Sequence, residues 1–354
     1  MTSADSREEF LNAIIAEAAL QADYPGDEKI STIYFGGGTP SLLSPDEVNT
    51  MINALRKIFK VDTEPEITVE VNPDDVMPGY FSALSAAGVN RISVGIQSWN
   101  DKTLKFLGRR HNTKQSAATL EMASREGIKN ISADIIYGIP GQTTEALKKD
   151  LDIMFSFPVK HLSAYHLTIE KGTRFGRMKE SGKLTETDEE TSISMFSLLT
   201  AECAKRGFIH YEISNFALPG FISLHNSSYW KQVLYLGLGP AAHSFNGRTR
   251  QWNISSVRKY ISSVKKGVVP CEIEELDTTT MFNEYVMTAL RTMWGIDLDF
   301  VERRFDRELA DYLINVSVKF VKYGLVVNDK KTLVLTDQGK MISDNIISEL
   351  LMVK

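Results

Sequence analysis

Residues 31–46 read STIYFGGGTPSLLSPD. A short β-rich run ends in three glycines, then Thr39 and Pro40. Ser44-Pro45-Asp46-Glu47 follows, a helix start with Ser as N-cap, Pro in the first turn and Glu three residues after the cap. Strand, glycine turn and helix in this order form half of a βαβ unit. Three glycines let backbone approach a ligand closely and take up φ > 0. The same triplet also suits a bare strand-to-helix turn. It is not G-x-G-x-x-G, and no Gly-Lys-Ser/Thr follows, so an ordinary nucleotide phosphate loop is disfavoured.

Working outward, strands and helices alternate. A helical repeat covers 7–22, with Phe10, Ile14 and Ala18 on one face. Strands are expected over 30–35, 66–71, 91–96, 130–140 and 161–169, and helices over 44–59, 80–88, 101–107, 113–126, 143–156 and 187–206. Short loops between them argue for parallel βαβ units. Polar residues fall at the carboxyl ends of the strands, where parallel α/β folds hold ligands. Glu70, between Val69 and Val71, should face the interior if the valines pack outward. Gln97 ends the next strand. Arg109 suits a carboxylate, with Arg110 as its competitor. Asp134 interrupts an apolar strand, where an unpaired buried charge is costly. Beyond 185 the alternation weakens, and 225–245, HNSSYWKQVLYLGLGPAAHSF, is expected to be glycine- and aromatic-rich loop. His225 precedes an aromatic pair there, and His243 lies eighteen residues on; each is a candidate iron ligand or an ordinary structural histidine. Helices over 254–266, 278–293, 297–304 and 307–323, two short strands and a helix over 337–351 suggest a winged-helix-like end. Its Arg303, Arg304, Arg307, Lys319 and Lys322 are interspersed with Glu302, Asp306, Glu308 and Asp311, which favours packing or protein contact over DNA.

The chain has 354 residues, 43% hydrophobic and 24% charged, with net charge −5. That is ordinary for a globular protein and unsuited to a generally basic nucleic-acid surface. No apolar run reaches the ~18 residues of a membrane span. The N-terminus is polar and acidic rather than signal-like, so a cytoplasmic location is expected. Cys203 and Cys271 are the only cysteines, and they lack metal-ligand spacing.

Singly these motifs are weak; their order and spacing are not. YFGGGTPSLL, VEVNPDD, RISVGIQSWNDKTLKFLGRRH, NISADIIYGIPGQT, LSAYHLTIEKGT, YEISNFALPG and HNSSYWKQVLYLGLGPAAHSF closely resemble the radical S-adenosylmethionine (SAM) proteins related to oxygen-independent coproporphyrinogen III oxidase. The resemblance runs from about residue 7 to the end, and the 225–230 stretch looks like the haem chaperone branch.

The resemblance implies an α/β fold. It is an incomplete (β/α)6 barrel lacking its first strand, with a C-terminal helical, winged-helix-like domain. The implied division is a partial barrel over 1–170, barrel completion and a haem-chaperone-type region over 171–270, and the C-terminal domain over 271–354. It assigns Gly37, Gly38 and Thr39 to the methionine end of SAM. Glu70, Gln97, Arg109 and Asp134 match the family's other SAM contacts. His225 matches the haem position. The implied partners are haem or a porphyrin and a haem-accepting respiratory protein, with no nucleic acid and at most peripheral membrane contact. The alternatives are coproporphyrinogen III oxidation in porphyrin biosynthesis and a cluster-free binding protein on the same barrel.

One departure stands out. The family carries Cys-x3-Cys-x2-Cys after its first barrel strand, holding a 4Fe-4S cluster whose fourth iron binds SAM; such clusters need thiolates. Here the sequence starts at the first helix. The expectation is that the strand and cluster loop precede Met1, by a late start or truncation, or that the chain is a natural cluster-free descendant. As given, the chain should then be inactive in radical chemistry and bind SAM more weakly. It should expose the edge of 30–35, inviting pairing into a homodimer.

Overall fold

The computed structural model describes residues 4–352. Helix α1 (Ala4–Leu20) leads into β1 (Ile30–Phe35), α2 (Pro45–Ile58), β2 (Val61–Val71), α3 (Tyr80–Ala86) and β3 (Arg91–Gln97). Then come α4 (Asp101–Phe106), α5 (Thr113–Arg125), β4 (Asn130–Tyr137), α6 (Thr144–Met154) and β5 (His161–His166). Two further helices, α7 (Arg174–Glu180) and α8 (Glu189–Lys205), precede the short strands β6 (Ile209–Glu212) and β7 (Asn215–Ala217). These seven strands form one curled sheet in the order β1-β2-β3-β4-β5-β7-β6. Strands β1 to β5 are parallel, whereas β7 runs antiparallel to both β5 and β6. The structure thus has the α/β half-barrel anticipated from the sequence, with β1 at the sheet edge.

Alternation along each strand divides the sheet into two faces. Ile33, Phe35, Ile67, Val69, Ile92, Val94, Ile131, Ala133 and Leu162 join the helices in one continuous apolar core. The opposite, concave face carries Thr32, Tyr34, Glu66, Thr68, Glu70, Arg91, Ser93, Ser132, Asp134, His161 and Ser163. Register lines these up, with Glu70 beside Ser93, Ser93 beside Ser132 and Ser132 beside His161. Parallel strands covered on both faces are usually apolar throughout. Here the inner face is polar, and its buried members are held in hydrogen bonds and an ion pair to one another and to α9.

The α2 start behaves as its sequence requires. Ser44 Oγ accepts from Glu47 N at 3.2 Å and Glu47 Oε2 accepts from Ser44 N at 2.7 Å. The 225–245 segment differs from expectation, since it contains a helix, α9 (Leu224–Trp230), and a strand, β8 (His243–Phe245). Ser223 caps α9 through Asn226 N, and the buried Glu66 carboxylate accepts from Leu224 N at 3.2 Å and His225 N at 2.9 Å. That second cap comes from 158 and 159 residues upstream of the amides it meets, so local sequence could not reveal it.

Strand β9 (Thr249–Asn253), helix α10 (Val257–Val264) and strand β10 (Cys271–Glu275) follow, with β8, β9 and β10 in a small antiparallel sheet. Glu17 of α1, fully buried, anchors this region: it accepts from Gly239 N at 2.8 Å, Asn253 Nδ2 at 2.6 Å and the Tyr260 hydroxyl. A second apolar core is built by α11 (Thr278–Ala289), α12 (Leu298–Arg304), α13 (Arg307–Lys322) and α15 (Ser343–Leu350), while Met341 of α14 (Asp337–Met341) packs against the first core. Strands β11 (Ile296–Asp297), β12 (Val326–Asn328) and β13 (Thr332–Leu335) make its wing. The helix expected over 337–351 is broken at Ile342, whose N–H turns back to Gly339 O. No helix among the described residues is long and apolar enough to cross a membrane.

Candidate functional site

The glycine turn sits at the carboxyl end of β1. Gly37 and Gly38 take φ values of 70° and 57°, left-handed backbone that a β-carbon would strain. Both are exposed, as the turn of a rim loop should be. Gly37 N donates to Glu70 Oε2 at 3.3 Å, and Tyr34 Oη donates to Glu70 Oε1 at 2.8 Å. Glu70 therefore faces inward, between the loop and Tyr34. Gly36 is bare for a different reason: a Cβ there would collide with the Tyr34 ring and lie 3.0 Å from Glu70 Oε1. Thr39 opens a short 3-10 turn over Pro40–Leu42, with no side-chain cap.

Arg109 and Arg110 part company. Arg110 is exposed and paired with Asp74 at 2.9 Å and Asp75 at 3.0 Å. Asp75 also accepts from Ser41 Oγ at 2.7 Å, lacing three rim loops together. Arg109 turns inward, donating to Asn72 Oδ1 and Gly95 O, each at 3.3 Å. Among the described residues it has no ion pair within 4 Å, so its guanidinium is left for an incoming anion. Burial lowers its pKa, with Asp74 and Asp134 opposing. Gln97 has φ of 67°, strained for a residue with a side chain, and the ladder shifts register there. A Cβ on Gly95 would stand 2.7 Å from Arg109 Nη2 and 3.0 Å from Gln97 Nε2. Gly95 is thus the gap through which both polar ends reach the interior.

Asp134 lies deeper on β4, accepting from Ser93 Oγ at 3.0 Å and also bonded by Ser163. Burial raises its pKa to about 6; the two serines and Arg91 pull down, while Glu70 pushes up. The structure therefore brings Gly37, Glu70, Gln97, Arg109 and Asp134 around the carboxyl half of one concave face, with a cation on one side and carboxylates on the other. That polarity suits a zwitterion bearing hydroxyls.

His225 is on the same face, further along β1. Its ring stacks on Tyr34 with centroids 4.4 Å apart and planes at 13°, and its Nδ1 lies 2.9 Å from Thr32 Oγ1. Tyr229 meets it edge-on at 5.1 Å. Nε2 takes no hydrogen bond among the described residues. Burial, then the charge on Arg91, lowers the imidazole pKa to about 4. The ring is neutral at pH 7, and in the tautomer whose Nδ1–H donates to Thr32 Oγ1 the Nε2 lone pair faces away from that bond and is open to a metal. Leu224 and Tyr229 beside it are 55% and 42% exposed, an apolar border. His243 has no such surroundings: it is exposed on β8, 6.3 Å from Trp252.

Several residues of this site escaped sequence reading. Glu66 and Arg91, both nearly fully buried and 3.9 Å apart, hold α9 in place. A second route runs from Ser132 Oγ to His161 Nδ1 at 2.7 Å and from His161 Nε2 to Tyr211 Oη at 2.6 Å. The two-residue period Glu66, Thr68, Glu70 was the available signal for Glu66. Thr32 and Tyr34, with the same period in an apolar strand, were signals of the same kind.

Residues 7–154 match the radical SAM superfamily and residues 276–342 the HemN C-terminal domain. The chain is 32% identical over 346 residues to heme chaperone HemW of Bacillus subtilis, covering 97% of this chain and 91% of that protein. It is 32% identical over 347 residues to heme chaperone HemW of Mycobacterium tuberculosis, covering 98% and 87%. Coproporphyrinogen III oxidase (HemN) from Escherichia coli, 22% identical, superposes with a TM-score of 0.82 over 99% of this chain and 85% of that one. The last likeness is one of fold. The chain belongs to the radical SAM superfamily, on its heme chaperone HemW branch. Superfamily membership implies SAM and a 4Fe-4S cluster. A guanidinium without an ion pair among the described residues, opposite carboxylates, is the donor set a SAM zwitterion would call for, but the residues present do not fit the cluster. Cys203 is buried in α8, Cys271 is half-buried in β10, and no His, Cys, Asp and Glu group among the described residues is placed to hold a metal.

Proposed function

We propose that this radical SAM superfamily member is a haem chaperone that binds haem through His225 and SAM on the carboxyl rim, and passes the haem to a respiratory haem protein. The observation that carries the reading is the state of His225. A neutral imidazole is fixed by Thr32 and Tyr34, with Nε2 left for iron and an apolar border beside it. The names of the HemW relatives support the same cargo. In the SAM site, Gly37, Gly38 and Thr39 take the methionine end and Arg109 its carboxylate, while Glu70, Gln97 and Asp134 serve the amine and ribose hydroxyls. Geometry supports this at all but Thr39, where only position in the loop does. The cytoplasm is the proposed location. The oxidase alternative has only the fold behind it.

Haem titration followed at the Soret band tests the reading. Wild type and His243→Ala should give the spectrum of an imidazole-ligated haem, and His225→Ala should not. Added imidazole should restore the His225→Ala spectrum, which separates a lost ligand from a lost fold. Identical spectra and affinities for wild type and His225→Ala would remove His225 from the site.

A further inference from the structure

Tyr34 belongs to both sites at once. Its hydroxyl donates to Glu70 at 2.8 Å, and Glu70 in turn receives Gly37 of the rim loop. Its ring lies flat on His225, 4.4 Å between centroids. Room for that ring is kept by Gly36, where any β-carbon would strike it. Two residues back on the same face, Thr32 holds the other side of the imidazole but does not touch Glu70. Strand β1 therefore offers two supports to His225, of which one is also wired to the rim.

We propose that Tyr34 is a positioning residue that couples the two sites, so that SAM raises the affinity for haem and haem raises the affinity for SAM by the same factor. The inference rests on the haem and SAM reading above. Its physical basis is ordering. Glu70 is half-buried and held to the loop by one long hydrogen bond, so a ligand that engages it fixes the Tyr34 side chain as well. Freezing such side chains costs free energy once. The second ligand finds the shared element already set and binds more tightly. Reciprocity of the factor is required by linkage.

The test measures four affinities on the full chain: SAM by calorimetry without and with saturating haem, and haem by Soret titration without and with saturating SAM. Wild type should show tightening of about 5-fold or more, equal in both directions. Tyr34→Phe keeps the ring on His225 and removes the hydroxyl. The coupling factor, the ratio of its affinities with and without the other ligand, should fall to about 1 whatever its affinity for haem alone. Thr32→Val should weaken haem binding and keep the wild-type factor, because its contact does not pass through Glu70. A factor of 1 in wild type, a full factor in Tyr34→Phe, or equal loss in Thr32→Val overturns the proposal while leaving both sites standing. Failure of wild type to bind SAM or haem alone refutes the reading of that site and the coupling with it.

Discussion

Gly95→Ala separates the SAM site from the fold that carries it. Gly95 is not among the residues with positive φ, so its backbone accepts alanine. The new Cβ would stand 2.7 Å from Arg109 Nη2, where ordinary contact begins at 3.4 Å, so the guanidinium must retreat by about 0.7 Å. It cannot retreat and keep its 3.3 Å bond to the Gly95 carbonyl. A hydrogen bond to a charged group contributes about 1.5–3 kcal/mol. Misplacing the Arg109 head against the SAM carboxylate should therefore raise the SAM Kd roughly 10- to 100-fold, at ~1.4 kcal/mol per factor of ten. Stability should fall by only about 1–2 kcal/mol, because the lost bond to the Gly95 carbonyl is partly offset. The displaced atoms are the far ends of flexible side chains, and alanine in place of glycine within a strand favours folding by ~0.5–1 kcal/mol. Tm should stay within about 3 °C of wild type. Calorimetric SAM titration with a thermal melt reads both quantities. A folded Gly95→Ala protein with the wild-type SAM Kd would refute the assignment of Arg109 to the carboxylate.

Glu66→Ala leaves Arg91 buried without its partner and uncaps α9; urea unfolding should show a loss of about 3–5 kcal/mol, and a loss under 1 would show the pair is not structural. Asp134 holds its proton to about pH 6 when folded, against an ordinary 3.8, so its contribution to stability is present below pH ~4 and disappears as pH rises through 6. Asp134→Asn should flatten that limb of a Tm-against-pH curve, and SAM should bind wild type more tightly above pH 6 than below. His225 ionises near pH 4. Iron competes with the proton for the ring, so the spectrum of imidazole-ligated haem should survive at pH 5 and be lost only at or below about 4, and a midpoint near 6.5 would contradict its burial.

Much of this was legible in the chain itself. Alternation in 66–71 put Glu70 inside, the Ser44–Glu47 pattern fixed the start of α2, and strand-end polar residues marked the rim. What stayed hidden was whatever depends on long-range partners. Arg109 and Arg110 are indistinguishable in sequence; they diverge because Asp74 and Asp75 capture one and Gly95 admits the other. Helix α9 was invisible because one of its caps is a carboxylate on β2. The concave network of Glu66, Arg91, His161 and Tyr211 joins four strands, and no local pattern encodes such a junction.

Helix α9 has one more consequence. Of its seven residues only Ser227 is buried, and its apolar side chains Leu224 and Tyr229 point to solvent. What retains it is chiefly a set of hydrogen bonds, from its first turn to Glu66, from Asn226 and Ser223 to Tyr211 and from His225 to Thr32, beside the stack of His225 on Tyr34. Such an element opens below the free energy of global unfolding. Its amides should exchange with deuterium sooner than those of β2 to β5, and as a group, since one carboxylate secures the first turn. The histidine we propose for the cargo would thus ride on a part of the fold able to let go without the barrel coming apart, which is what a carrier, unlike a storage protein, has to do.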